Sequence, residues 1–332
     1  MATGLEVRLA SPLHGLPEPG NFEVVEVTVP DPGPGEVGVR NRYFVLEPGA
    51  RLAMEALSAG VPGFDVDGLR AHTVGEVVAS GSPDFRVGDT VTHVLGWREH
   101  TVADAGRFTR VDPDALPTLT AHLSGALTAH VGLVEIGRMR PGDAVFVSSA
   151  AGTVGSLAGQ IARLMGAGRV VGSAGSAAKV RYLLDELGFD AAFDHHDGAL
   201  VDRLREAAPD GIDVYFDNVG GSHLEAALEV MNPHGRVVLC GALSRQGSDH
   251  VPPGPANLLQ AIAKRLTLRG FTVNEHLAGA ADFTRRFGGW LRSGEIRYRE
   301  TVVDGIEHAP RAFTDLLAGR YSGRVLVRVG DE

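Results

Sequence analysis

The hydrophobic pattern of the chain changes its period near residue 120. Before that point short alternating runs dominate. Phe22–Val29 alternates and predicts a strand, PDPGPGE at Pro30–Glu36 a turn, and Val37–Tyr43 the strand after it. Ala71–Ala79 predicts a further strand through Gly75, and SPDFRVGD at Ser82–Asp89 is a turn leading into TVTHVLGW. This density of strands and turns predicts a mostly β, barrel-like domain ending near residue 115.

Beyond residue 120 the spacing becomes helical and then settles into a βα rhythm. Leu119–Val134 reads as a helix, with Gly125 and Gly132 as weak points. Strands are predicted at Ala144–Ser149, Arg169–Ala174, Ala191–Phe193, Val214–Asp217, Arg236–Cys240 and Leu266–Gly270. Helical runs such as Lys179–Leu187, Leu200–Ala207 and Ser222–Met231 lie between most of them. The fold class is therefore α/β, with a doubly wound parallel sheet covered by helices on both faces. Ala280–Arg292 and Ala309–Leu317 read as two further helices. Arg324–Val329 reads as a closing strand, assigned to the first domain because the βα rhythm has ended.

Composition narrows the possibilities. A chain of 332 residues has room for two domains with developed cores. It is 44% hydrophobic but lacks the apolar run a membrane span needs, so no membrane partner is expected. Glu6 and Arg8 interrupt any early apolar run, which argues against a signal peptide. The 41 acidic and 31 basic residues give a net charge of −10 with no basic stripe, so no nucleic-acid partner is expected. The single cysteine, Cys240, excludes an intrachain disulfide and a cysteine-rich zinc lobe, and fits a reducing compartment. It ends RVVLCG and reads as a core cysteine rather than a nucleophile. Among the 13 histidines, His195 and His196 are adjacent and would point apart in a strand or a helix. They read as a surface pair, and no metal site is predicted.

The sharpest local signal runs from Ala144 to Lys179 as strand, glycine turn, helix and strand. Ala150, Gly152 and Gly155 give the turn the form A-x-G-x-x-G. Gly152 lets the backbone approach a pyrophosphate, Gly155 lets the helix pack closely, and the free N–H groups of the helix start attract the negative charge. Sites for unphosphorylated NAD place an acid after the second strand; here Gly175, Ser176 and Lys179 follow it, and no acid occurs until Asp185. Ser176 and Lys179 suit a 2′-phosphate, which favours NADP. The alternative for Lys179 is an ordinary surface lysine. Asn218 and Val219 follow the strand VYFD at its carboxyl end, where they could hold the nicotinamide ribose and ring. Asp217 either meets the ligand or caps nearby N–H groups.

Longer segments carry a resemblance. They include VRNRYFVLEPGARLAM (Val39–Met54), SSAAGTVGSLAGQIARLMG (Ser148–Gly166), PDGIDVYFDNVGG (Pro209–Gly221), GRVVLCGALS (Gly235–Ser244), RGF (Arg269–Phe271) and YRETVVDGIEHAPRAFTDLLAGRYSGRVLVRV (Tyr298–Val329). In these the chain resembles the zinc-independent, NADP-dependent double-bond reductases of the medium-chain dehydrogenase/reductase superfamily. That group comprises prostaglandin/leukotriene reductases, plant alkenal reductases and bacterial curcumin-type reductases. The resemblance implies a GroES-like β-barrel domain, residues 1–119 completed by 293–332, and a Rossmann domain, residues 120–292. It implies hydride transfer from NADPH to the β-carbon of an α,β-unsaturated aldehyde or ketone, without catalytic zinc. It also implies a cytoplasmic homodimer joined along the Rossmann sheet edges.

Under the resemblance the cofactor contacts fall on Gly152, Thr153, Val154, Gly155, Ser176, Lys179, Asn218, Val219, Cys240, Gly241 and Gly323. His195 stands where the group has an aromatic residue near the adenosine phosphate. The substrate half departs further. DPYMRGRM becomes EPGARLAM, so Glu47, Gly49 and Ala50 are changed and Arg51 is kept. LTAY becomes LTAH, placing His130 at the tyrosine, and Gln246 replaces another tyrosine. Glu47, Arg51, Gln246 and Phe271 are thus the candidate substrate-pocket residues, and Tyr43 and His130 the candidate donors to the developing enolate oxygen. His130 could instead pack within its helix, and Tyr43 could point into the barrel core. A quinone, a polyketide-like intermediate, or a non-catalytic NADP-binding role are the alternative readings.

Overall fold

The computed structural model describes residues 2–13, 15–58, 69–246 and 253–330. The chain begins with strands β1 (Ala2–Leu9) and β2 (Phe22–Val29), then β3 (Glu36–Leu46), helix α1 (Ala50–Ser58), β4 (Thr73–Ser80), β5 (Thr90–His93), β6 (His100–Asp104) and β7 (Thr109–Arg110). Helix α2 (Ala126–Val131) leads into β8 (Ala144–Val147), α3 (Thr153–Leu164), β9 (Arg169–Ala174), α4 (Ala177–Arg181), β10 (Ala191–Asp194), α5 (Leu200–Ala207), β11 (Ile212–Asp217), α6 (Gly221–Val230) and β12 (Met231–Leu239). The remainder is α7 (Leu243–Gln246), α8 (Leu259–Ala263), β13 (Thr267–Gly270), α9 (Ala280–Ser293), β14 (Glu300–Asp304), α10 (Ala309–Leu317) and β15 (Arg324–Arg328).

These elements form two compact units. The first takes the residues up to Leu123 and those from Glu300 onward. Its seven-stranded sheet has the order β14-β15-β3-β4-β5-β7, with β6 also paired to β3, and β1 and β2 form a separate antiparallel ribbon. β15 runs antiparallel to β3, with Val325 opposite Leu46 and Val327 opposite Phe44. The alternation is physically plain in β1, where Val7 is fully buried while Arg8 and Glu6 pair at 3.1 Å beside it. An aromatic nucleus closes this unit: Phe22 stacks on Trp97 at 5.8 Å, and Phe313 of α10 meets Trp97 edge-on at 5.5 Å.

The second unit, Ser124–Arg299, holds a six-stranded parallel sheet of order β10-β9-β8-β11-β12-β13. Chain order reverses between β8 and β11, the switch point at which doubly wound sheets bind ligands. The central strand β8 is apolar along its whole length, as two-sided burial requires, and its Phe146 stacks on Tyr215 of β11 at 4.9 Å.

The helix predicted over Leu119–Val134 is three pieces: a 3₁₀ turn Leu119–Leu123, α2, and a π-type turn Gly132–Ile136. The two glycines serve close packing. A Cβ on Gly125 would stand 2.7 Å from Val154 Cγ2, and one on Gly132 would stand 2.5 Å from Phe216 Cε2. The joints between units also fall later than residues 119 and 292. Leu123 packs with Val45, Val74 and Leu326, and Arg299 N donates to Tyr182 Oη at 3.1 Å.

Candidate functional site

The switch point is built from one buried polar network. Asp217, at the end of β11, is fully buried, and its Oδ1 accepts from Tyr215 Oη at 2.6 Å, Val219 N at 2.9 Å and Gly220 N at 2.7 Å. Ser148, just past β8, donates to the same oxygen at 3.3 Å, accepts from Asn218 N at 3.0 Å, and offers its carbonyl to Asn218 Nδ2 at 2.8 Å. The Asp217 carbonyl in turn accepts from Cys240 N at 2.9 Å and Gly241 N at 3.0 Å. Burial raises the Asp217 pKa, and the hydrogen bonds from Tyr215, Gly220, Val219 and Ser148 oppose that rise. The carboxylate is therefore architectural: it fixes the Asn218–Val219 turn. Ser148 is the partner that sequence reasoning does not single out, since the two residues meet only through the fold.

Beside this turn lies the start of α3. Gly152 is its N-cap; no side chain caps the helix and its first turn holds no acid. The first helical bond runs from Ser156 N to Gly152 O at 3.0 Å, so the Val154 and Gly155 amides ahead of it have no intrahelical acceptor. An uncapped helix start of this kind suits an anion. Gly155 is obligatory, because a Cβ there would stand 2.4 Å from Ser149 O. Ser149 itself has φ +50, a left-handed conformation that turns the chain from β8 toward the helix. Gly241 lies under Asn218, where a Cβ would be 2.9 Å from Asn218 O.

At the end of β9, Ser176 caps α4 by accepting from Lys179 N at 3.3 Å, and Lys179 is half-buried, which lowers its pKa. Among the described residues, no carboxylate follows β9 within this turn. The residues present therefore fit NADP: the α3 opening turn for the pyrophosphate, Ser176 and Lys179 for the 2′-phosphate, and Asn218, Val219, Cys240 and Gly241 around the nicotinamide end.

His195 and His196 correct an expectation. Their rings do not point apart but lie 4.0 Å between centroids at a 37° tilt. They follow β10 in a turn, where neither the strand nor the helix period applies. Together with Asp194 they offer ligand-type atoms within 4.8 Å of one another. Cys240 is also displaced from its expected strand: β12 ends at Leu239, and Cys240 is half-buried in the following turn. Burial, reinforced by Asp217, pushes its thiol up to about 12, so it is not a thiolate nucleophile.

The other candidates divide between the units. His130 stacks flat on Phe283, and Phe271 packs near Gly132, its Cζ 3.2 Å from where a Cβ would stand. The side chain of Gln246 lies outside the described residues. Tyr43, Glu47, Arg51 and Gly323 belong to the first unit. Tyr43 is half-buried against the Val45, Val74, Leu123 and Leu326 cluster, and Glu47 lies 3.9 Å from His72. Arg51 is 2% exposed, with Nε donating to Gly15 O at 3.0 Å and Nη2 paired with Glu55 at 2.6 Å. Those bonds anchor α1 to the segment at Gly15. Gly323 has φ +77 in the turn before β15.

A parallel sheet with a glycine turn at its switch point, joined to a β-rich unit made from both ends of the sequence, defines a two-domain nucleotide-dependent oxidoreductase. Residues 153–286 match the zinc-binding dehydrogenase family, and residues 6–111 match the N-terminal domain of oxidoreductase family. The chain is 37% identical to the NADPH-dependent curcumin reductase of Escherichia coli, across 98% of this chain and 96% of that protein. It is 37% identical to mouse prostaglandin reductase 1, across 95% of this chain and 96% of that protein. The crystal structure of CurA from Vibrio vulnificus in complex with NADPH superposes with a TM-score of 0.88 at 32% identity, covering 99% of this chain and 100% of that one. The chain belongs to the medium-chain dehydrogenase/reductase superfamily, within its zinc-independent, NADP-dependent group of enone, alkenal and curcumin-type reductases.

Proposed function

We propose that the protein saturates the carbon–carbon double bond of an α,β-unsaturated ketone or aldehyde, with NADPH as reductant. The observation that carries this is the switch-point network of Ser148, Asp217 and Asn218 beside the uncapped start of α3. It occurs in a chain alike over its whole length to the curcumin, prostaglandin and alkenal reductases. Bound NADPH supplies the hydride for the β-carbon of the substrate.

The chain's own residues bind and orient. The Val154 and Gly155 amides hold the pyrophosphate, and Ser176 and Lys179 select the 2′-phosphate. The rigid Asn218–Val219 turn, with Cys240 and Gly241 behind it, fixes the nicotinamide end. Charge building on the carbonyl oxygen needs a hydrogen-bond donor. The single cysteine cannot supply the Cys₂His ligand set of a zinc alcohol dehydrogenase, so the reading involves no zinc of that kind. A cytoplasmic homodimer completes the reading. Strand β13 ends the parallel sheet, and Leu259 and Ile262 of the neighbouring α8 are 73% and 75% exposed.

The test is NADPH consumption over matched enones, 2-alkenals and quinones, with products identified by mass and NADH as control. The saturated carbonyl compound is the expected product. Quinol formation without alkene reduction would replace this reading with a quinone reductase, and NADPH binding without turnover of any substrate would replace it with a binding role.

A further inference from the structure

Three imidazoles gather where β9 and β10 end. His195 Nδ1 lies 2.7 Å from Ala174 O. A carbonyl only accepts, so Nδ1 carries the proton and Nε2 is the basic nitrogen. His196 Nδ1 lies 3.0 Å from Asp194 Oδ1, which fixes the same tautomer. His223, from α6, is 4% exposed, and its ring sits 5.1 Å from that of His195 at 66°. Neither His223 nitrogen has a hydrogen-bond partner among the described residues. The Gly175–Ser176 turn backs directly onto this group: a Cβ on Gly175 would stand 3.2 Å from His195 Cε1 and 3.5 Å from His196 Cε1.

The charges around the cluster decide what it would hold. The groups facing His195 are Lys179 from α4, His223 from α6, and Asp194 and His196 from its own segment. Asp194 is the one carboxylate among them, and its Oδ1 already accepts from His196 N at 3.1 Å as well as from the His196 ring. Lys179 opposes a cation. One ammonium and three protonatable rings against one engaged carboxylate favour an anion over a metal ion.

We propose that His195, flanked by His196 and His223, is a proton-linked part of the 2′-phosphate subsite, so that binding NADPH takes up protons and binding NADH does not. This rests on the NADPH reading above and adds a specificity mechanism to it. Without ligand, burial and neighbouring positive charge keep the His195 and His223 rings neutral: His195 is lowered below its ordinary value, and His223 is lowered to about 4. A dianion placed against them reverses that balance, and the Nε2 nitrogens become charged donors. Selection of NADPH then strengthens as pH falls.

The experiment is calorimetric titration of the whole protein with NADPH and with NADH between about pH 6.5 and 8.5, in buffers of different ionisation enthalpy. A phosphate monoester is mostly dianionic above about pH 6.5, so proton uptake in this window belongs to the protein. NADPH is expected to take up a fraction of a proton to one proton, with Kd rising by up to about tenfold per pH unit for each proton bound. NADH is expected to show no uptake. His195→Gln, which keeps a neutral donor, is expected to bind NADPH with a much flatter pH dependence. Histidine-labelled NMR of the unmutated protein is expected to show an imidazole becoming protonated on adding NADPH. Tight NADPH binding without proton uptake, or with the same uptake in His195→Gln, or without an imidazole shift, overturns the inference and leaves the cofactor reading standing. Equal affinity for NADH and NADPH across the range overturns the cofactor reading itself.

Discussion

The imidazole of His130 lies flat on the ring of Phe283, with centroids 4.4 Å apart and planes 17° from parallel. The pair joins α2 to α9. Among the described residues His130 Nδ1 is buried without a hydrogen-bond partner, and burial lowers the pKa of the ring. A neutral ring in such a stack is a packing element. His130→Phe keeps the stack and removes the unpartnered nitrogen, so kcat on an enone is expected to stay within about twofold of the parent. His130→Ala is expected to lower stability by about 1–3 kcal/mol in urea unfolding. A tenfold loss of kcat in His130→Phe at constant NADPH affinity would restore the proton-donor role.

Asp217 permits a sharper comparison. Asp217→Asn retains an acceptor for the Val219 and Gly220 amides, whereas Asp217→Ala leaves both without one and leaves the Tyr215 hydroxyl only Ser148 Oγ at 3.0 Å. Each buried group left without a partner costs about 1–3 kcal/mol. The alanine variant is expected to lose about 3 kcal/mol or more and to bind NADPH at least about tenfold more weakly, with the asparagine variant much closer to the parent. Equal losses in the two variants would mean that the charge, not the geometry, matters.

The two glycines of the α3 turn separate folding from binding. A Cβ on Gly155 meets backbone at 2.4 Å, so Gly155→Ala must shift the turn and is expected to lower the melting temperature clearly. At Gly152 the nearest atom is Ser149 O at 3.3 Å, and the backbone φ of −85° suits alanine. Gly152→Ala is therefore expected to fold normally and weaken NADPH binding. Unchanged affinity in that variant would show that no phosphate approaches this backbone.

Acid sensitivity follows from His93. Its Nδ1 accepts from Leu95 N at 3.0 Å and its Nε2 meets Asn41 Oδ1 at 2.9 Å, which commits the ring to a neutral tautomer. Burial, with Arg98 and Arg107 nearby, lowers its pKa from 6.5 to about 3. The unfolded chain takes up this proton first, so the stabilisation is complete above about pH 6.5 and falls as pH drops toward about 3, by up to about 1.4 kcal/mol per pH unit. His223, lowered to about 4, adds a second group over part of the same window. His93→Gln is expected to reduce the slope of unfolding free energy against pH by about one proton. An unaltered slope would assign the acid sensitivity elsewhere.

The exposed face of α8 is the place to test assembly. Ile262→Asp puts a charge on a side chain that is 75% exposed. A protein that is dimeric in sedimentation is expected to become monomeric in this variant with little change in melting temperature. A dimer that survives the substitution has its interface elsewhere.

Sequence periodicity located the elements whose patterning is local. β2, α5 and α10 have the bounds that alternation or helical spacing predicts. The glycine turn was legible for the same reason, since its residues are neighbours in the chain. Misreadings occur where distant residues intervene. The run from Leu119 breaks because glycines admit Val154 and Phe216 from other elements. β14 is an edge strand with no buried residue, so it carries little hydrophobic signal. Ser148 and Asp217 are 69 residues apart, and only the pairing of β8 with β11 makes them one network. The His195–His223 approach depends in the same way on where α6 begins.

The antiparallel match of β15 with β3 also bears on synthesis. The stretch of β3 from Tyr43 to Leu46 leaves the ribosome early, but its partner Val325–Arg328 emerges only after the whole of the second unit has been made. The parallel sheet, whose strands all lie in one stretch of chain, can complete first, while the edge of β3 waits exposed. Unpaired strand edges of this kind are the points at which nascent chains associate wrongly. Premature termination before Arg324 would thus release a chain whose later domain is finished and whose earlier one is not.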